Sequence, residues 1–192
     1  MASHMAVLAE VDFFTVEVLT WRGLATYYIL FFLHLETRRV ILAGITRHPT
    51  ESWMEQMARN AIDEASGYLR QHRYLLHDRD TKFCVSFRAI LATGNLRCLA
   101  LPPRSPNLNA FVERWVGSVK RECLSRLILF GEGSLRRALT EFLEHYHTER
   151  NHQGRGNVLL FPSTGAALPA SGSTIHRRQR LGGLLNYYCC AA

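Results

Sequence analysis

Apolar residues fall first into strand-like runs and later into helical spacing. Val7 to Glu17 is rich in valine and phenylalanine and predicts a buried strand. Tyr27 to Leu35 and Val40 to Thr46 predict two more, with short polar connections at Thr20–Gly23 and Glu36–Arg39. Runs joined this tightly predict an antiparallel meander. From Pro49 to Tyr68 the period changes. Trp53, Met57, Ala61, Ala65 and Tyr68 recur at helical spacing behind a candidate cap at Thr50. Tyr74–His77 predicts a fourth strand, residues 81–93 a helix with Asp80 as its cap, and Leu96–Leu101 a fifth strand. Three prolines within Pro102–Pro106 forbid a helix interior there. A helix is expected from Asn109 to about Leu127, and another from a cap at Ser134 to about His147. This order predicts an α/β protein with a five-stranded mixed sheet and helices on both faces, compatible with a ribonuclease H-like fold.

Composition narrows the class. The chain has 192 residues, 47% of them hydrophobic and 20% charged, which suits a globular domain. No apolar run approaches the roughly 18 residues needed to cross a bilayer, so no transmembrane helix is expected, and a membrane is not among the partners we expect. Met1 to Met5 reads as an expression-vector remnant. Five cysteines with no C-x-x-C pair favour a reducing, intracellular setting over a disulfide framework. We divide the chain into a core over residues 6–165 and a linker with a basic tail over residues 166–192.

The net charge of +7 is unevenly placed. Residues 1–96 hold ten basic and ten acidic residues, whereas residues 97–192 hold thirteen and six. That asymmetry predicts a basic face and a polyanionic partner, nucleic acid first.

Three acids stand out by position. Asp12 interrupts an apolar strand, Asp78 ends the fourth strand, and Glu113 opens a helix after a Pro/Asn loop. Each has a plain alternative: a paired strand residue, a turn former, and a complement to the helix dipole. Asp12 is the most informative, because an unpaired carboxylate in an apolar strand is costly. If strands one and four are neighbours, Asp12 and Asp78 meet at the sheet edge. Three hard oxygen donors suit Mg²⁺ or Mn²⁺ rather than zinc.

These residues carry a family resemblance. Val11-Asp12-Phe13-Phe14, His77-Asp78-Arg79-Asp80-Thr81-Lys82-Phe83 and Ser105-Pro106-Asn107-Leu108-Asn109-Ala110-Phe111-Val112-Glu113-Arg114 resemble the motifs of DDE transposases and retroviral-type integrases. So do Ser118 to Leu124, His145-Tyr146-His147 and Arg150-Asn151-His152. The similarity is greatest to integrase-like transposases of bacterial insertion sequences and covers roughly residues 7–165. The 34 residues between Asp78 and Glu113 are close to the family's usual spacing.

The resemblance implies that Asp12, Asp78 and Glu113 are the catalytic, metal-binding set, with two Mg²⁺ or Mn²⁺ ions in the reacting complex. It implies metal-dependent DNA strand cleavage and strand transfer, as in transposition, integration and recombination. The competing classes are a ribonuclease H-like nuclease and a catalytically inactive DNA-binding core. The implied partner is DNA, bound by a homo-oligomer, with location in the bacterial cytoplasm or nucleoid. A helix-turn-helix region N-terminal to the core is expected to be missing from this chain.

Helical spacing puts Glu113, Gly117, Lys120 and Arg121 on one face. Lys120 matches a DNA-contacting position of the family. Lys120, Arg121, Arg114, Asn107, Arg177 and Arg178 are therefore the DNA-binding candidates. Asn109 reads as a helix cap, Trp53 and Trp115 as core, and the His145/His147/His152 spacing is wrong for zinc.

Overall fold

The computed structural model describes residues 5–102, 109–162 and 175–190. The chain forms two compact units, Met1–Gly117 and Ser118–Ala192. The first holds a five-stranded sheet in the order β3-β2-β1-β4-β5. Its strands are β1 (Leu8–Thr20), β2 (Gly23–His34), β3 (Val40–Thr46), β4 (Tyr74–His77) and β5 (Arg97–Ala100). The first three pair antiparallel, while β4 and β5 are parallel to β1. The sheet is therefore mixed, and its topology is ribonuclease H-like.

The predicted meander is present, with β1 and β2 longer than the apolar runs suggest. Both continue to a two-residue turn at Trp21-Arg22, where Thr20 Oγ1 donates to the Gly23 carbonyl at 2.7 Å. Trp21 at that tip is exposed.

Period-2 alternation along β1 sorts its residues between two faces. Ala9 and Val11 face a core made with Leu30, Phe32 and Leu75. Helix α1 (Glu51–Ile62) adds Met54, Ala58 and Ala61 to it, and helix α2 (Val85–Thr93) adds Phe87 and Leu91. Phe14 and Phe31 face the other way and meet Trp115 of helix α3 (Ala110–Glu122), with ring centroids 5.6 and 4.3 Å from the indole. Helices thus cover both faces of the sheet.

Helix α1 stops at Ile62, six residues short of the expected Tyr68. Asp63 caps the turn that ends it, accepting from Ser66 N–H at 2.9 Å and Ser66 Oγ at 2.8 Å. Helix α2 begins at Val85 rather than Thr81. Asp80 is not its cap; its carboxylate instead accepts from Lys82 N–H at 2.9 Å and from Lys82 Nζ at 2.7 Å.

The boundary between the units falls within α3. The second unit comprises the last part of α3, a 3₁₀ turn (Leu124–Arg126), helix α4 (Gly131–Thr148) and the hairpin β6 (Ile175–Arg180)–β7 (Leu185–Cys190). Helix α4 starts three residues before Ser134, whose hydroxyl accepts from Phe130 N–H at 2.7 Å from inside the first turn. The tail expected as a basic extension forms an antiparallel hairpin that packs on α4.

Candidate active site

Strand register brings the first two acids together. Parallel pairing of β1 with β4 matches Val11 to His77, so Asp12 and Asp78 each follow the last matched rung on adjacent strands. Asp12 Oδ1 accepts from the Phe13 N–H at 2.7 Å. Asp78 Oδ1 accepts from the Asp80 N–H at 2.9 Å, an Asx turn that bends the chain away from the sheet edge. Burial, and then the charges of Asp78 and Asp80, push the Asp12 carboxyl up to about 6, against the Phe13 bond and the influence of the Asn109 side chain.

The sequence reads Asn109 as a cap. It stands immediately before Ala110, the first residue of α3, and its carbonyl accepts the Glu113 N–H at 3.0 Å, as the cap position requires, while its side chain acts on Asp12 and favours the charged carboxylate. The Asn109 amide oxygen is buried without a partner. Glu113 lies in the first turn of α3 and is exposed.

Sequence reasoning does not single out Glu10. It lies two residues before Asp12, hence on the same strand face, and is 1% exposed. Burial first, then the charges of Asp12 and Glu113, push its carboxyl up to about 8, with Arg38 opposing. The signal available in the sequence is a second acid at period-2 spacing in the same apolar strand.

Among the described residues, no group of three or more His, Cys, Asp or Glu side chains is gathered at metal-ligand spacing. Carboxylates repel one another, so a tight cluster of them requires a cation to hold it. The donors are all oxygen, and those of Glu10 and of the Asn109 amide are buried and unpartnered, which fits a hard divalent cation better than zinc.

The basic candidates separate. Arg114 is exposed, with its guanidinium 5.8 Å from the Phe111 ring. Lys120 and Arg121 are exposed in the last turn of α3. Asn107 lies outside the described residues. Arg177 donates to Asn186 Oδ1 at 2.9 Å across the hairpin. Arg178 is 63% exposed at its side chain and reaches Glu149 Oε1 at 3.4 Å, so part of its charge is already answered within the chain.

Three histidines of the second unit, His145, His147 and His152, serve its architecture. His145 Nδ1 pairs with Glu149 Oε2 at 3.1 Å, His152 Nε2 with the Tyr146 carbonyl at 2.8 Å, and the His147 ring packs on Phe161. His77 is buried against Phe83. Trp115 is 1% exposed in the core, and Trp53 packs against Phe13.

Residues 95–158 match a family model described as Integrase core domain. No curated protein sequence matches significantly. Among solved structures, the chain resembles a simian T-cell lymphotropic virus intasome solved in complex with PP2A regulatory subunit B56 gamma. The TM-score is 0.58 at 15% identity, covering 97% of this chain and 67% of that one. It resembles the HTLV-2 integrase catalytic core domain, solved as a dimer with magnesium, at TM-score 0.55 and 12% identity, covering 74% and 86% of the two chains. The BIV integrase catalytic core domain matches at TM-score 0.53 and 14% identity, covering 78% and 88%. These likenesses define the fold as that of integrase catalytic cores. No helix among the described residues is long and apolar enough to cross a membrane.

Proposed function

We propose that this chain is the catalytic core of a DDE-type transposase or integrase, a divalent-metal-dependent polynucleotidyl transferase that cuts DNA and joins its ends to a target. The observation that carries this reading is the β1–β4 register, which sets Asp12 and Asp78 side by side beyond Val11 and His77. The integrase-core match over residues 95–158, which includes Glu113, supports it.

Asp12, Asp78 and Glu113 are the residues that would hold Mg²⁺ or Mn²⁺, two ions in the reacting complex. When bound, such ions lower the barrier by activating the attacking oxygen and stabilising the leaving oxygen of a phosphodiester. The Asn109 side chain favours the charged form of the Asp12 carboxylate. The reacting hydroxyl comes from water or a DNA 3′ end, so no protein nucleophile is needed. Arg114, Lys120 and Arg121 would hold DNA phosphates from α3, with Arg177 and Arg178 of the hairpin as further contacts. Paired DNA ends call for a homo-oligomer, in keeping with the intasome and the dimeric core among the structural likenesses. The kinship we favour is with bacterial insertion-sequence transposases, acting on DNA inside the cell.

The test is strand transfer of pre-cut DNA ends in Mn²⁺, comparing the parent with Asp12→Asn, Asp78→Asn and Glu113→Gln. Each variant is expected to lose at least about a hundredfold in rate, in line with the several kcal/mol a metal contributes. Activity equal to the parent overturns the assignment. Cleavage without joining would make the protein a nuclease.

A further inference from the structure

Glu10 occupies a position that should reject it. It lies in the central strand of the sheet, matched on one side to Leu33 of β2 and on the other to Leu76 of β4. Neither neighbour offers a polar side chain. Both carboxylate oxygens are buried and neither has a hydrogen-bond partner. An orphaned carboxyl of this kind costs free energy that a leucine would not. The cation in its surroundings is Arg38, from the turn between β2 and β3. Arg38 is otherwise engaged. Its guanidinium stacks on the Phe111 ring at 3.2 Å, and Nη1 donates to the Leu35 carbonyl. Arg38 moderates the charge at Glu10 without supplying a hydrogen bond to it.

The other charges that act on Glu10 are acidic. The alternation of β1 puts Glu10 and Asp12 on one face of the strand, and Glu113 is the other acid whose charge acts on Glu10. The Asn109 amide oxygen is a further buried acceptor without a partner, on a residue whose side chain acts on Asp12. A hard cation would satisfy these unpartnered oxygens together and offset the acidic charges at the same locus.

We propose that Glu10 is a fourth carboxylate of the cation site, contributing to the same divalent ion as Asp12 and Glu113 from the sheet beneath them. This rests on the metal-site reading above and adds to it a residue outside the Asp/Asp/Glu set. A bound cation supplies the partner that both Glu10 oxygens lack. The competing role, a counter-charge for Arg38, predicts no effect of Glu10 on cation binding.

The experiment is Mn²⁺ titration of the whole chain, with the free ion counted by electron paramagnetic resonance, for the parent, Glu10→Gln, Glu10→Leu and Asp12→Asn. Melting in EDTA is measured alongside. The parent is expected to bind Mn²⁺ and Asp12→Asn to lose most of that binding. Glu10→Gln and Glu10→Leu are each expected to bind at least tenfold more weakly, while melting in EDTA at or above the parent's temperature. Leucine suits the burial, so that variant keeps the test open if glutamine disturbs folding. Parent-like Mn²⁺ affinity in a folded Glu10 variant, with Asp12→Asn impaired, overturns the role of Glu10 alone. A parent that binds no Mn²⁺, or an Asp12→Asn that binds as the parent does, overturns this inference and the metal-site reading together.

Discussion

The Arg180 guanidinium grips the Glu149 carboxylate through two parallel bonds, Nε to Oε2 at 2.9 Å and Nη2 to Oε1 at 2.8 Å. Arg180 Nη1 also reaches Glu141 Oε2 at 3.0 Å, and His145 Nδ1 lies 3.1 Å from Glu149 Oε2. Glu141 of α4 and Glu149 just beyond its end thus fasten the last residue of β6. Bidentate geometry with little solvent makes this pair stronger than a surface salt bridge. Removing one partner leaves the other charge poorly solvated. Arg180→Ala is therefore expected to cost about 3 kcal/mol. Urea unfolding measures the loss, and amide exchange should show it concentrated in the hairpin.

The same pair sets a pH dependence. Despite burial, which raises it, the Glu149 carboxyl is held down at about 2 by bonds from Arg180 and His145, by the Arg180 charge and by the Arg178 bond. Its folded value lies below its ordinary value of 4.5. The contribution is then present above pH 4.5 and is lost as pH falls from there through about 2. Acid titration of the parent should show this loss, and Glu149→Gln should flatten it. An unchanged acid limb in Glu149→Gln would contradict the assignment.

Gly44 decides how α1 lies on β3. A Cβ there would stand 2.6 Å from Trp53 Cζ2 and 2.7 Å from Met57 Sδ. The β2–β3 register also shifts between Leu30 and Phe31, and Gly44 is the partner of Leu30. Overpacking of this kind typically costs about 1–3 kcal/mol. Gly44→Val is expected to lower stability by that amount without touching the acids, so Mn²⁺ binding of the folded variant should match the parent's.

The sheet was largely legible in the sequence. β3 and β4 fall where their apolar runs predict, because short runs between turn residues leave little freedom of placement. The parallel pairing of β1 and β4 that joins Asp12 to Asp78 is a conditional expectation from sequence. It is met because the strands after the meander alternate with helices, which favours parallel crossovers. Other features depend on contacts distant in sequence. Asn109 reads as a cap and stands at the cap position, and only the fold adds that its side chain acts on Asp12. Glu10 looks like one polar residue in a strand until Leu33 and Leu76 are seen on either side. The arginine-rich tail reads as a free basic end because the acids that answer Arg180, Glu149 and Glu141, lie 31 and 39 residues earlier.

Asp12 should trade stability for function. Its carboxyl is pushed up to about 6 by burial and by Asp78, so the charged form is disfavoured when no cation is present. Asparagine keeps the shape and removes the charge. In EDTA near neutral pH, Asp12→Asn is expected to be more stable than the parent by up to about 3 kcal/mol, since each tenfold weakening of the acid, from 3.8 to about 6, reflects about 1.4 kcal/mol against its charged form. The same variant should be inactive in strand transfer. Calorimetry in EDTA and in excess Mn²⁺ separates the two, because Mn²⁺ should raise the melting temperature of the parent more than that of the variant.

The DNA track on α3 makes a prediction in salt. Lys120 and Arg121 are exposed in its last turn. Each phosphate contact releases condensed counterions, so affinity falls with salt in proportion to the number of contacts. Lys120→Ala and Arg121→Ala should each reduce the slope of log K against log salt by about one, and weaken all DNA sequences alike. Arg178→Ala should reduce it less, because Glu149 already answers part of that charge at 3.4 Å. Binding of a labelled duplex, followed by fluorescence anisotropy across a salt series, gives the three slopes. An unchanged slope in both α3 variants would move the DNA off this helix. A full unit lost in Arg178→Ala would mean that the arginine leaves Glu149 when DNA binds, and the hairpin should then show faster amide exchange in the complex than in the free protein.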